Sequence, residues 1–229
     1  MQFELPIFEN LCPEWVKFTH LGIKRTFPKG TRVFDMETPL AGVYLVIEGA
    51  VEVVLHNLRG PEKVLYYVGP GCIFGEVSCF VNVENDEAHV RARSDCVCYF
   101  FSRELIEGRI ASQHPYLLVE LIRASAYKIR MYGILLRDSL DSDNFLRVCK
   151  MLVYLARFKS PDPIDGQALV SIHPEMTQTD MARLMGIHRV TVTKAVNRLK
   201  KQGIIGHFSR KRLEILDFPA LCALVGGSA

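Results

Sequence analysis

Residues 186–196 read GIHRVTVTKAV, and the branched run Val190, Thr191, Val192, Thr193 at its centre decides how the C-terminal part folds. Side chains branched at Cβ are stiff at χ1 and favour strands, so propensity alone writes a strand here. The neighbours overrule it. Upstream, Thr177 and Asp180 stand at capping-box spacing and open a short helix, TDMARLM, which Gly186 stops. Downstream, Val192, Val196 and Leu199 recur at helical spacing up to Gly203. A short helix, a glycine turn and a second helix bearing Arg189, Lys194, Arg198, Lys200 and Lys201 predict a helix-turn-helix. Ala182 is small where the two helices would cross, and Met181, Met185, Ile187, Val192 and Val196 would fill the space between them.

In such a motif the first turns of the second helix enter the major groove, and their exposed side chains are chosen for base edges rather than for propensity. Val192 is expected to face inward and Val190 outward, where a branched apolar group meets a thymine methyl. Arg189 and Lys194 can donate to guanine O6/N7, and Thr191 can reach a base from the same face. Thr177, Gln178, Thr193, Arg198, Lys200 and Lys201 are expected at phosphates. The chain then closes with two apolar strands, GIIGHF and RLEILDF, which form a wing around Ser209, Arg210 and Lys211.

The charge distribution agrees. The net charge is +3, but residues 143–229 hold 13 Lys and Arg against 7 Asp and Glu, while the remainder holds 15 against 18. Residues 188–212 carry eight basic side chains and no acidic one, where a merely solvated face mixes both signs. The partner implied is a polyphosphate such as double-stranded DNA.

At 229 residues, about half of them apolar, the chain can bury one large core or two modest ones. No apolar run approaches a membrane span, and MQFELPIFEN carries Glu4 and Glu9 where a secretion signal carries Lys or Arg, so a cytoplasmic protein without membrane contact is expected. Seven cysteines with no CxxC pair give neither a disulfide framework nor a zinc knuckle. Cys96 and Cys98 read as core filling in SDCVCYFF, whereas Cys12, Cys72 and Cys79 are open to a redox role. An enzyme of the metal-dependent small-barrel kind would need clustered histidines, and the seven here are scattered, so no catalytic or metal site is assigned.

From Phe27 to about Phe101 the chain makes short apolar strands cut by turns: FPKGTRVF, GVYLVIEGAVEVVL, EKVLYYVGPGCIFGEV and HVRARSDCVCYFF. That spacing predicts an antiparallel roll or barrel. A long helix follows over about 113–140. On it Leu118, Ile122, Ser125, Ile129, Tyr132 and Leu136 succeed one another by 4, 3, 4, 3 and 4, the seam of a helical dimer with one polar position. Ser142 or Asp141 can cap the next helix, where Phe145, Val148, Leu152 and Leu155 share a face.

A glycine-rich roll, a long helix and a C-terminal winged helix-turn-helix together resemble the Crp/Fnr family of bacterial transcription regulators. TQTDMARLMGIHRVTVTKAVNRLKKQGII follows that family's DNA motif, and PGCIFGEVSCF follows its cyclic-nucleotide cassette. The resemblance implies an α+β fold: an effector-binding β roll of the cyclic-nucleotide type, a double-stranded jelly roll, over 1–112; a dimerisation helix over 113–141; and a winged helix-turn-helix over 142–229. It also implies a homodimer that binds a small effector between roll and helix, reads a near-palindromic promoter site and contacts RNA polymerase.

Two departures qualify what is carried over. The family commonly places glutamate at the position of Val190 and arginine at that of Lys194, which implies a half-site richer in A and T here. An apolar residue at that position resembles the halorespiration-regulator branch. In cAMP-binding members a Gly-Glu pair, matched by Gly75 and Glu76, is followed by an Arg-Ser pair that grips the cyclic phosphate. The matching positions here are Asp86 and Glu87. Two carboxylates repel a phosphate, so no cAMP binding is expected. Arg91 and Arg93 come too late in the strand to replace the arginine. An iron–sulfur cluster is not expected, since only Cys12 precedes Cys72. The leading expectation is an organic effector touching Lys128 and Tyr132 on the long helix with Glu76 opposite. The alternative is a haem- or thiol-based sensor, with His89, His20, His56 or a cysteine as haem ligand.

Overall fold

The computed structural model describes residues 6–35, 41–55, 62–81, 88–139, 143–160, 164 and 167–226. The chain separates into two compact units, Pro6–Arg130 and Met131–Ala229, so the division falls within the long helix.

The first unit is a two-sheet roll. Strands β1 (Ile7–Phe8), β3 (Arg32–Asp35), β5 (Val51–Leu55), β6 (Lys63–Val68) and β8 (Ala88–Ala92) form one sheet in the order β1-β6-β5-β8-β3. Strands β2 (Ile23–Phe27), β4 (Gly42–Glu48), β7 (Ile73–Phe74) and β9 (Cys96–Ser102) form the other in the order β2-β9-β4-β7. All pairings are antiparallel except β1 with β6, where Ile7 faces Tyr67. The near-continuous burial of Gly42–Val46 and Val51–Val54 follows from their runs of branched residues, which fit a pleated surface covered on both faces.

Two short helices belong to this unit: α1 (Pro13–Val16) and α2 (Glu76–Phe80). The stretch EKVLYYVGPGCIFGEV divides at its glycines into β6, β7 and, beyond the expected strands, the start of the helix α2, because Gly71 (φ 71°) and Gly75 (φ 92°) adopt left-handed backbone that ends a strand. A helical segment then runs as α3 (Arg103–Leu105), a π turn (Ile106–Ile110) and α4 (Ala111–Gln113) into α5 (Pro115–Ser139). Leu117, Leu121 and Ala124 of α5 lie in one core with Trp15, Phe101, Ile106 and Ile110. Trp15 fixes that core: its indole Nε1 donates to the Leu117 carbonyl at 2.9 Å and its ring meets Phe101 edge-on at 5.1 Å.

The second unit contains α6 (Asn144–Lys159), α7 (Gln178–Met185), α8 (Arg189–Lys201) and α9 (Phe218–Leu224) over a three-stranded antiparallel sheet. Its strands β10 (Val170–Ile172), β11 (Ile205–Phe208) and β12 (Leu213–Ile215) lie in the order β10-β12-β11. The cap of α6 is Asp143, whose Oδ1 accepts from Phe145 N at 2.8 Å; the expected caps Asp141 and Ser142 lie outside the described residues. The chain does not end on the strand RLEILDF. Asp217 caps α9 by accepting from Ala220 N, and Pro219 suits its first turn.

Candidate nucleic-acid interface and effector pocket

Helix α7 opens on a reciprocal capping box. Thr177 Oγ1 accepts from Asp180 N at 3.1 Å, and Asp180 Oδ2 accepts from Thr177 N at 2.8 Å. It ends at Gly186 (φ 64°), where Ile187 N returns to the Ala182 carbonyl at 3.0 Å. The branched run is helical. Val192, Ala195, Val196 and Leu199 are buried at i, i+3, i+4 and i+7, while Val190 is 62% exposed. Burial against Met181, Ala182 and Met185, all in the core, outweighs the modest cost of β-branched residues in a helix.

The other face of α8 is a basic surface. Arg189, Lys194, Lys200 and Lys201 are exposed beside Val190, and none of the four has an ion pair among the described residues. Thr191 is half-buried. Four of the residues expected at phosphates already have internal partners. The Thr177 hydroxyl donates to Asp180 Oδ2 at 2.7 Å. Thr193 Oγ1 donates to Gln178 Oε1 at 2.8 Å, which ties α8 to the first residue of α7. The Arg198 guanidinium lies 3.9 Å from the Phe145 ring centroid, stacked on α6. Thr177 thus caps its own helix, and Arg198, exposed on the basic face, also packs on α6. The wing adds two cations of the same basic block: Arg210 and Lys211 are exposed at the hairpin tip.

The effector cassette is arranged differently. Gly75 is the N-cap of α2 and Glu76 its first residue. Lys128 of α5 is 4% exposed; its Nζ donates to the Ile73 carbonyl at 2.7 Å and to the Glu76 carboxylate, and lies 5.6 Å from the Tyr66 ring centroid. Lys128 and Glu76 thus neutralise each other rather than facing one another across a gap. Tyr132 is 37% exposed one turn further along α5, and Asp86 and Glu87 lie outside the described residues.

The two arginines of β8 and its C-terminal end are committed. Arg91 Nε meets Glu52 Oε1 at 2.7 Å and its second branch meets Glu62 Oε2 at 2.9 Å, while Arg93 lies 4.1 Å over the Tyr67 ring. Of the haem-ligand candidates, His89 is buried in β8, His20 is exposed beside Phe18, and His56 lies outside the described residues. All seven thiols are buried. Burial pushes Cys12, Cys98 and Cys149 up to about 12 and Cys72 to about 11, which keeps them protonated and poorly nucleophilic. Among the described residues no group of three or more His, Cys, Asp and Glu could hold a metal ion.

The seam of α5 is open. Ile122, Ile129 and Leu136 are 67%, 69% and 66% exposed, whereas Leu118 and Ser125 are half-buried. Ser125 donates its hydroxyl to the Leu121 carbonyl at 3.0 Å, so the polar seam position is satisfied within its own helix. Leu118, Ile122, Ser125 and Ile129 floor an apolar groove of about 420 Å³ whose other wall is Glu76 and Phe80 of α2.

Residues 24–113 match the cyclic nucleotide-binding domain family, and residues 146–224 match the Crp-like helix-turn-helix domain family. A CRP-like cAMP-activated global transcriptional regulator of Mycobacterium tuberculosis is 32% identical over 185 residues, 78% of each chain. The chain belongs to the Crp/Fnr family. Solved structures with the same fold include CprK complexed with OCPA, with a TM-score of 0.80, 17% identity and coverage of 98% of this chain and 100% of that one. A mutant of CooA from Carboxydothermus hydrogenoformans has a TM-score of 0.79 at 17% identity, covering 95% and 100%. This member of the Crp/Fnr family is therefore a DNA-binding transcription regulator and not an enzyme, with an α+β fold of cyclic-nucleotide-type roll and Crp-type helix-turn-helix. Among the described residues no helix is long and apolar enough to cross a membrane.

Proposed function

We propose that this regulator is a cytoplasmic homodimer that reads a near-palindromic promoter site under the control of a small organic effector and acts through RNA polymerase. The observation that carries the reading is the outer face of α8, where Arg189, Val190 and Lys194 are exposed together over a buried Val192, Val196 and Leu199. Arg189, Val190, Thr191 and Lys194 meet bases, and Thr177, Gln178, Thr193, Arg198, Lys200 and Lys201 lie toward phosphates. The exposed stripe of Leu118, Ile122, Ser125, Ile129 and Leu136 supports pairing of α5 with its copy, since about two-thirds of each of three large apolar side chains is left to water. In functional terms 1–112 is the effector roll, 113–141 the dimerisation helix and 142–229 the DNA-binding part.

The effector site takes in Gly75, Glu76, Asp86, Glu87, Lys128 and Tyr132. The mycobacterial relative is cAMP-activated by name, but here Asp86 and Glu87 stand where a phosphate would need donors. An effector felt at Lys128 meets an ammonium already shared between the Ile73 carbonyl and Glu76, so its binding is coupled to that ion pair.

Selection of duplexes from a random library by the purified protein tests the reading. A two-fold-related pair of half-sites, bound at least about a thousandfold better than random DNA, is expected. Equal binding of all duplexes would make the chain an architectural DNA binder instead. An absorption spectrum of the protein from its native host separates the effector classes: a colourless protein fits an organic effector, and a Soret band a haem.

A further inference from the structure

The segment that begins with β1 lies along the effector cassette and holds two buried thiols together. The parallel pairing of β1 with β6 continues beyond the strands: Asn10 N donates to the Pro70 carbonyl at 2.9 Å, and Cys12 N to the Gly71 carbonyl at 2.7 Å. Those bonds bring Cys12 beside Cys72, although the two stand far apart in the sequence. Their sulfurs are crossed over. Leu11 N donates to Cys72 Sγ at 3.3 Å, and the Ile73 amide donates to the Cys12 sulfur, so each thiol is bonded to the backbone next to the other. Both residues are fully buried. Burial first, and the Cys72 thiol next, push Cys12 up to about 12, as expected of two neighbouring sulfurs. Cys79 shares a core with Cys12, but its sulfur is turned to the Arg103 side chain, and among the described residues no third His, Cys, Asp or Glu makes a ligating group with the pair.

Two sulfurs alone are a selective donor set. Zinc in a closed site takes four protein ligands, and calcium and magnesium take oxygens. Soft thiolates select Cu(I), a monovalent ion that two sulfurs in line can hold. A bis-thiolate Cu(I) unit carries one net negative charge, and a cation already stands inside. Lys128 Nζ donates to the carbonyl of Ile73, the residue after Cys72, and its charge favours the thiolate of both cysteines. The two amides aimed at sulfur act in the same direction, because a hydrogen bond to the charged form stabilises it.

We propose that Cys12 and Cys72 form a Cu(I)-binding site beneath the effector cassette. The ion bonds to both sulfurs as each S–H gives its proton to solvent, with no change of oxidation state. The binding does not depend on the DNA reading or the effector reading. Its consequence reaches the cassette, since the bound anion competes with Glu76 for Lys128.

The test titrates the reduced full-length protein, under exclusion of oxygen, with Cu(I) buffered by a competing chelator. One ion per chain is expected. Cys12→Ser and Cys72→Ser should each weaken it by more than about a hundredfold, beyond what removing a mere hydrogen-bond partner of a ligand costs. Cys98→Ser, at a buried thiol of the same unit but outside the pair, should leave it unchanged. No uptake against the chelator overturns the site, and so does uptake by either Ser variant equal to that of the wild type. Should a Ser variant fail to fold, X-ray absorption at the copper edge of the loaded wild-type protein decides in its place. Two sulfur neighbours support the pair, whereas nitrogen or oxygen neighbours, or more than two sulfurs, overturn it.

Discussion

The two charged regions of this regulator use lysine in opposite ways. On α8, Lys194, Lys200 and Lys201 stand in solvent with no partner among the described residues, so their charge is available to a polyanion at almost no desolvation cost. In the effector cassette, Lys128 is 4% exposed, and its ammonium is divided among a carbonyl, a carboxylate and a ring face. A buried charge is tolerated only with such partners. The contrast teaches that one residue type can be an open docking charge or an internal strut. Burial decides which, and burial is the property a local sequence window reports least.

The sharpest way to break that comparison is to truncate one lysine of each kind. Lys128→Met should cost about 3 kcal/mol of stability in urea titration, because it leaves the Glu76 carboxylate, with its side chain only 13% exposed, without its cation. Lys194→Met should leave stability within about 0.5 kcal/mol while weakening DNA binding. Adding Glu76→Gln to Lys128→Met should recover most of the loss. If the single Lys128 change costs no more than the Lys194 change, the cassette ion pair does not organise the roll.

The same difference explains what was legible from residues alone. The helix-turn-helix could be read because its signals are local: a capping box at Thr177 and Asp180, a glycine at Gly186 and buried positions at 192, 196 and 199. The roll could be read as strands and turns, but the helix at Glu76–Phe80 was hidden in an apolar run that resembles a strand. The Lys128–Glu76 pair spans 52 residues, and the stacking of Arg198 on Phe145 joins two helices, so no spacing rule exposes either. Asp217 followed by Phe218 and Pro219 was a usable signal for α9, a cap followed by a proline in the first turn, that the strand pattern before it obscured.

On the DNA face itself, Arg189→Ala should relax selection at one base pair of each half-site by about 1–3 kcal/mol, read from enriched sequences. Unchanged enrichment would reassign Arg189 to the backbone. Lys200→Ala with Lys201→Ala should instead weaken all duplexes alike and flatten the salt dependence.

The thiols sharpen the contrast between the units rather than between the lysines. Their folded-state pKa values lie above those of the unfolded chain, so folding favours the protonated form. The associated stability is fully present below about pH 9 and is lost as pH rises toward about 12. Each such thiol withdraws about 1.4 kcal/mol per pH unit in that window. Cys12, Cys72 and Cys98 lie in the first unit and Cys149 in the second, so alkaline unfolding should begin in the roll. Loss of DNA binding before loss of roll structure would reverse that order.

The smallest expected effect concerns Arg198, which sits on the basic face yet is held on Phe145. If the stack is its main role, Arg198→Ala and Phe145→Leu should each cost roughly 0.5–1 kcal/mol of stability. The double variant should cost less than their total, as expected for two groups that act on one another. Arg198→Lys should lose the planar stacking while keeping the charge. A phosphate role predicts the opposite pattern, with lysine substituting well in DNA binding and Phe145→Leu without effect on the coupling. The thermodynamic cycle therefore places Arg198 with the committed charges, like Lys128, or with the open ones, like Lys194, and it does so at a position where the two uses of a cation lie on the same helix.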